Sequence, residues 1–234
     1  METDYLGHDS VYQRLKAEGA YGWTPEQDHT QMVHPRILQA IDQLSIPPGS
    51  PILDLGCGTG DIAIWLALQG YEAYGIDIAP SAIAWANEKA QAQGSQVQFT
   101  IGSVLDLAAY QDDFFRLVVD GRCLHCIIGP DRAATLASVY RVLQPGGGIL
   151  VQCMCGEVMD KSPMKANFDP VSCCLINWGG IATRYIGSAT SILEELTAAG
   201  FAIAYSEIIP RHSPDDQDDL VAIAMKLIAN RQTP

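Results

Sequence analysis

The sequence predicts an α/β protein built on a doubly wound, mostly parallel sheet. Three observations carry that reading. Apolar runs of strand length recur from residue 51 onward, helical stretches closed by glycine separate them, and the last two apolar runs follow each other directly. Parallel neighbours need a crossover of a dozen or more residues, which the helical stretches supply. The final pair, 201–209 and 220–228, is linked by 210–219 alone and therefore reads as an antiparallel C-terminal hairpin.

Taken in order, the first 45 or so residues are polar and aromatic. Residues 11–16 open a short helix that Gly19, Gly22 and Pro25 break. Residues 35–44 read as a second helix, with Ile37, Leu38, Ile41 and Leu44 on its apolar side, and Pro47-Pro48-Gly49 ends it. This gives an N-terminal helical lid over 1–48 and a main domain over 49–234. Strands are expected at 51–55, 73–78, 97–101, 117–120 and 149–153, with helices at 61–69, 81–93 and 131–142 between them. After Cys155 the rhythm lapses until a helix at 188–199, which leads into the hairpin. With its two strands the sheet has seven.

The chain has 234 residues, 48% hydrophobic and 18% charged, enough to bury a sizeable core. Its net charge of −13 argues against binding duplex nucleic acid or an anionic membrane, both of which call for basic side chains. A small or cationic ligand suits that field better. No apolar run reaches the length of a membrane helix, and the first residues show no secretory pattern. Seven cysteines, an odd number, fit reduced thiols better than a disulfide framework. The expected location is the cytoplasm.

The sharpest motif is Asp54-Leu55-Gly56-Cys57-Gly58-Thr59-Gly60, which leaves a strand and opens a helix. Glycines there let the backbone turn tightly and let a ligand approach the main chain. A dinucleotide fingerprint would need its third glycine where Asp61 stands, so the spacing speaks against a nicotinamide oxidoreductase. Asp77 closes the next strand, 77 − 54 = 23 residues after Asp54, where a carboxylate can accept from both hydroxyls of a ribose. The bland readings are an ordinary strand-to-helix turn and a solvated strand-end acid. Together the residues resemble the class I S-adenosylmethionine-dependent methyltransferases, over about 50–228. The resemblance implies a Rossmann-like methyltransferase fold with S-adenosylmethionine as cofactor and S-adenosylhomocysteine as product. It assigns the methionine part to the loop of Asp54, Gly56, Cys57, Gly58, Thr59 and Gly60, and the ribose to Asp77 with Ile78. It assigns the adenine to Ser103, Val104 and Leu105, where Ser103 replaces the usual acid. The 141–147 stretch matches a structural signature of the family.

Residues beside the methyl group should lie at the carboxyl ends of the fourth and fifth strands. Asp120 is the candidate to bind an amine or take its proton, and to touch the cofactor. His125 is the candidate base, or else a helix cap. The 120–132 stretch also resembles the thiopurine and thiol/halide branch. Tyr12, Tyr21 and Trp23 offer aromatic faces to an acceptor or staple the lid to the domain. Arg122, Trp178, Arg184 and Tyr185 complete the candidate acceptor set. Cys123 with Cys126 and Cys153 with Cys155 are expected to gather near the acceptor, as buried small hydrophobes, as ligands of a thiophilic acceptor, or least plausibly as a zinc site. His29 and His34 lack an acidic cluster, and no metal is expected. The expected activity is methylation of a small molecule, with an amine or guanidine-like nitrogen as acceptor. The alternatives are a thiol, halide or arsenite acceptor, and a non-catalytic cofactor-binding module.

Overall fold

In the computed structural model, residues 1–23, 29–211, 213 and 216–228 are described. The main sheet holds β2 (Pro51–Leu55), β3 (Glu72–Asp77), β4 (Val97–Ile101), β5 (Phe115–Gly121), β6 (Leu143–Cys155), β10 (Phe201–Ile209) and β11 (Asp218–Lys226). Their order is β10-β11-β6-β5-β2-β3-β4, parallel from β6 to β4, with β11 antiparallel to both β6 and β10. The hairpin thus forms one edge of a seven-stranded sheet. β2 and β11 are nearly continuous apolar runs because both of their faces are covered. β10, at the edge, alternates between covered and exposed residues.

One face of the sheet is covered by α5 (Pro130–Val142) and α6 (Ala189–Ala198), which contribute Leu136, Val139, Ile192 and Leu196 to the larger core. The other face receives Ile37 and Ala40 of α2 (His34–Gln43) and Ile62 and Leu66 of α3 (Asp61–Leu68). α4 (Pro80–Ala92) follows β3 and carries α1 (Gly7–Ala17) on its outer side. Tyr12 of α1 is buried with Ala79 and Ala82. Asp9 accepts a 2.7 Å hydrogen bond from the Ser81 amide, one of the first amides of α4 that has no partner within its own helix. Lys16 pairs with Glu88 further along.

The structure departs from the sequence expectation in four places. α1 starts four residues earlier than expected. The Gln144-Pro145-Gly146-Gly147 stretch does not end a helix ahead of the strand; it lies within β6, and the β5–β6 register shifts between the Phe115 and Leu117 pairings. The 156–187 region is not featureless. It forms β7 (Phe168–Asp169), β8 (Cys174–Ile176) and β9 (Ile181–Tyr185), which with β1 (Glu2–Thr3) make a four-stranded sheet of order β1-β9-β8-β7. β1 runs parallel to β9, pairing Thr3 with Ala182, so the chain's first residues are tied to this insertion. Finally, Gly22 does more than break the first helix: it packs against the glycine loop, where a Cβ would meet Thr59 Oγ1 at 2.7 Å. Pro25, named above as a helix breaker, lies outside the described residues. No helix among the described residues is long and apolar enough to cross a membrane.

Candidate active site

A cavity of about 280 Å³ opens at the carboxyl ends of β2, β3 and β5, beneath α1 and the small sheet. Its floor is the turn from β2 into α3. The Cys57 amide donates to the Ile76 carbonyl at 2.9 Å and the Gly60 amide to the Cys57 carbonyl at 2.8 Å, which winds the loop tightly. Gly56 and Gly58 have φ of +65° and +51°, and a Cβ on Gly58 would stand 2.6 Å from Tyr12 Oη. At Gly56 and Gly58 the loop therefore shows the cavity bare backbone, as a closely held ligand requires.

Asp77 ends β3 inside the cavity. One carboxylate oxygen accepts from the Gly58 amide and the other from the Ala79 amide, each at 2.9 Å. Those bonds fix the carboxylate while leaving each oxygen a further lone pair for a ligand hydroxyl. Burial pushes its pKa up, and the two amides pull it back. Asp54 accepts from the Ala63 amide at 3.2 Å. Its pKa is pushed well up by burial, against that amide, with the charges of Asp61, Asp77 and Asp120 adding to the rise. Asp61 is held by Lys89 at 2.8 Å. Of the three lining carboxylates at the glycine-loop end, Asp54 and Asp77 have no ion-pair partner among the described residues, which favours a bound cation. A fixed carboxylate for ribose and a negative environment for a sulfonium both fit S-adenosylmethionine. Ser103, Val104 and Leu105 line the adjoining wall, and Ser103 Oγ accepts from the Leu105 amide at 3.1 Å.

The opposite end is lined by Tyr5, His8, Trp23, His125, Arg122, Cys126, Met154 and Arg184. His125 is buried on a short 3-10 turn, Leu124–Cys126, and its Nδ1 has no hydrogen-bond partner. Burial holds its pKa well below the usual value, and the charges of Arg184, Arg122 and Arg132 push it the same way, so the ring is neutral. Arg122 stands at φ +79° and is ion-paired to Asp219 on β11, which also accepts from Gln152 at 3.1 Å. Arg184 reaches the cavity from β9 beside the Trp23 ring, 5.7 Å from its centre.

The structure gathers most of the sequence candidates around this cavity. Asp54, Gly56, Cys57, Gly58, Thr59, Asp77, Ile78, Ser103, Val104, Leu105, Arg122, His125, Tyr12, Trp23 and Arg184 all line it. Five do not. Gly60 instead lies against Phe99 and Ala86, where any Cβ would clash. Asp120 is fully buried behind the loop, and one of its oxygens accepts from the Cys123 and Leu124 amides at 2.6 and 2.9 Å. Its carboxylate winds the loop and does not face a substrate. Tyr21 lies 3.9 Å beneath the Lys89 ammonium, Tyr185 stacks on Arg132, and Trp178 is 96% exposed at the β8–β9 turn. Cys123 and Cys126 line the cavity as expected, but Cys153 and Cys155 face the core. Strand alternation presents Met154 to the cavity instead. Among the described residues no group of histidines, cysteines or acids is placed to hold a metal. His34 stacks on Trp65, and the side chain of His29 is outside what is described. Tyr5, His8 and Met154 were not singled out in the sequence, because only the β1–β9 pairing and the strand face bring them here.

Comparison with known proteins agrees with this geometry. Residues 52–147 match a family described as a methyltransferase domain. A putative methyltransferase, YqeM of Bacillus subtilis, is 30% identical over 148 residues, 62% of this chain and 53% of that protein. A 2-heptyl-1-hydroxyquinolin-4(1H)-one methyltransferase of Mycobacteroides abscessus is 31% identical over 142 residues, 59% of each chain. The matched part thus spans about half to three-fifths of these relatives' length. The crystal structure of Burkholderia thailandensis 1,6-didemethyltoxoflavin-N1-methyltransferase, with S-adenosylhomocysteine bound, superposes with a TM-score of 0.64 at 20% identity, covering 97% of this chain and 93% of that one. The glycine loop thus lies within residues 52–147, which match a methyltransferase-domain family, and the whole chain shares the fold of a solved methyltransferase.

Proposed function

We propose that the protein transfers the methyl group of S-adenosylmethionine to a small-molecule acceptor. The observation that carries this is one continuous cavity, acidic and backbone-lined at the glycine loop, which carries His125, Arg122 and Arg184 at its other end. When bound, the cofactor supplies an electrophilic methyl on a sulfonium; the acceptor's lone pair forms the new bond while the carbon–sulfur pair stays on sulfur. The chain's own part is alignment and exclusion of water. Asp77 holds the ribose, the Gly56–Gly58 backbone follows the methionine part, and Ser103 to Leu105 flank the adenine. Tyr12 and Trp23 close the cavity from above, which keeps the two reactants in line. His125, neutral with its Nδ1 unpartnered among the described residues, is the candidate to take the proton that a hydroxyl or amine acceptor releases. The neighbouring arginines disfavour that step until an acceptor's negative charge offsets theirs. Replacing it with Gln is expected to lower turnover by about a hundredfold while leaving S-adenosylhomocysteine affinity unchanged.

A nitrogen acceptor rests on the overall charge of −13, but that charge does not face the acceptor end of the cavity. A thiophilic acceptor draws on Cys123 and Cys126, yet burial pushes both thiols up, away from the thiolate that would hold a soft ion. The test is calorimetry with S-adenosylhomocysteine, followed by mass spectrometry of a metabolite extract incubated with labelled S-adenosylmethionine. Binding together with a newly labelled small molecule is the expected result. Binding without any labelled product would point to the non-catalytic module, and absence of binding would end the proposal.

A further inference from the structure

We propose that the acceptor is an organic acid whose anionic group is held by the Arg184 guanidinium, with its flat body against Trp23. The inference rests on the methyltransferase reading above and names the substrate class of that same cavity. It starts from how charge is divided along the lining. Asp54, Asp61 and Asp77 all belong to the glycine-loop end. The other end presents two arginines and, among the described residues, no carboxylate. A chain with 27 acidic and 14 basic residues has nonetheless placed its arginines here.

The two arginines are not equivalent. Arg122 is already committed to Asp219, which neutralises it. Arg184 forms no ion pair among the described residues, and its one hydrogen bond goes to the neighbouring Thr183 carbonyl at 2.7 Å. Most of its planar donor fork is therefore available to the cavity. A half-buried guanidinium whose partners are one carbonyl and the Trp23 ring still lacks an acid, and a carboxylate matches its fork with two parallel bonds. Its position is also fixed. Arg184 lies on β9, paired with Leu175 of β8, and β9 is held on its other side by β1. Next to it the Trp23 ring offers an aromatic face. Arg184 and His125 line the same cavity, so the anchor shares it with the proposed proton acceptor.

The test titrates the protein, saturated with S-adenosylhomocysteine, with three probes of one aromatic body: 4-hydroxybenzoate, 4-hydroxybenzamide and 4-(aminomethyl)phenol. The acid is expected to bind at least about tenfold more tightly than the amide, and the cationic amine most weakly. Arg184→Gln should abolish the preference for the acid, and Arg184→Lys should keep part of it. S-adenosylhomocysteine affinity, measured in the same experiment, should not move in either variant and so reports an intact fold. An acid that binds no better than its amide overturns the inference, as does a preference that survives Arg184→Gln. Failure of S-adenosylhomocysteine to bind the unaltered protein would instead overturn the methyltransferase reading, so the two failures are distinct.

Discussion

Asp77 meets two requirements at once, because its oxygens fix the amides of Gly58 and Ala79 and the same oxygens face the cavity. Asp77→Ala should weaken S-adenosylhomocysteine binding by about 1–3 kcal/mol, the scale of charge-assisted hydrogen bonds, as read by calorimetry. Asp77→Asn should fall between, since it keeps one accepting oxygen. Asp120 illustrates a different use of the same side chain. Burial pushes its pKa up to about 7, with the Leu124 and Cys123 amides opposing, and its second oxygen has no partner among the described residues. An acid whose pKa is raised by folding favours the folded state while it is protonated. Its contribution is full below about pH 4 and is lost as pH rises through about 7. Asp120→Asn, which is always neutral and still accepts from both amides, should remove a pH dependence of a few kcal/mol across that window. Denaturant titrations at pH 5 and about pH 8 would show whether the slope disappears.

At the scale of elements, the loop after β5 depends on two helices it does not belong to. Arg132 of α5 donates to both oxygens of Glu195 on α6 at 3.0 Å, and to the Leu124 and Ile127 carbonyls at 2.6 and 3.3 Å. One buried guanidinium therefore holds α5, α6 and the turn that carries His125. Arg132→Ala leaves two carbonyls and a carboxylate without their donor and should destabilise the fold by about 3–5 kcal/mol, visible as a lower denaturation midpoint. Lysine should not restore it, because a single ammonium cannot span the fork. The N-terminal cover depends on comparable ties: Asp9 caps α4, β1 joins β9, and Lys89 links Asp61 with the Tyr21 ring. The aromatic residues and glycines of the cover were legible in the sequence. Their docking was not, because a two-residue strand leaves no periodic pattern to read.

At the scale of the whole molecule, a net charge of −13 repels itself, and Asp54, Asp61 and Asp77 bring part of it to the glycine-loop end of the cavity. Raising sodium chloride from about 10 mM to about 150 mM should raise the Tm, because screening relieves that repulsion more than it weakens the half-exposed ion pairs. The same charge, read as a total, pointed toward a cationic acceptor. Resolved by position, it divides into an acidic glycine-loop end and an arginine-bearing end of one cavity. A sum over the sequence cannot carry that distinction, since folding decides which charges share a cavity.

The order of apolar runs and glycine-closed helices determined the seven-stranded sheet, and the spacing of Gly56, Gly58 and Asp77 marked the turn and strand end that line the cavity. Both rest on contacts between chain segments that are close in sequence or repeat regularly, so the pattern is written in the residues themselves. Tertiary structure alone decided the acceptor end. Asp120 turned inward because its carboxylate satisfies two amides of its own loop, Cys153 and Cys155 turned to the core because strand alternation gave Met154 to the cavity, and Arg184 arrived on a small sheet completed by the chain's first residues. The last of these depends on pairing Thr3 with Ala182, far apart in the chain, and the others on which strand face meets the cavity, so only the folded chain decides them.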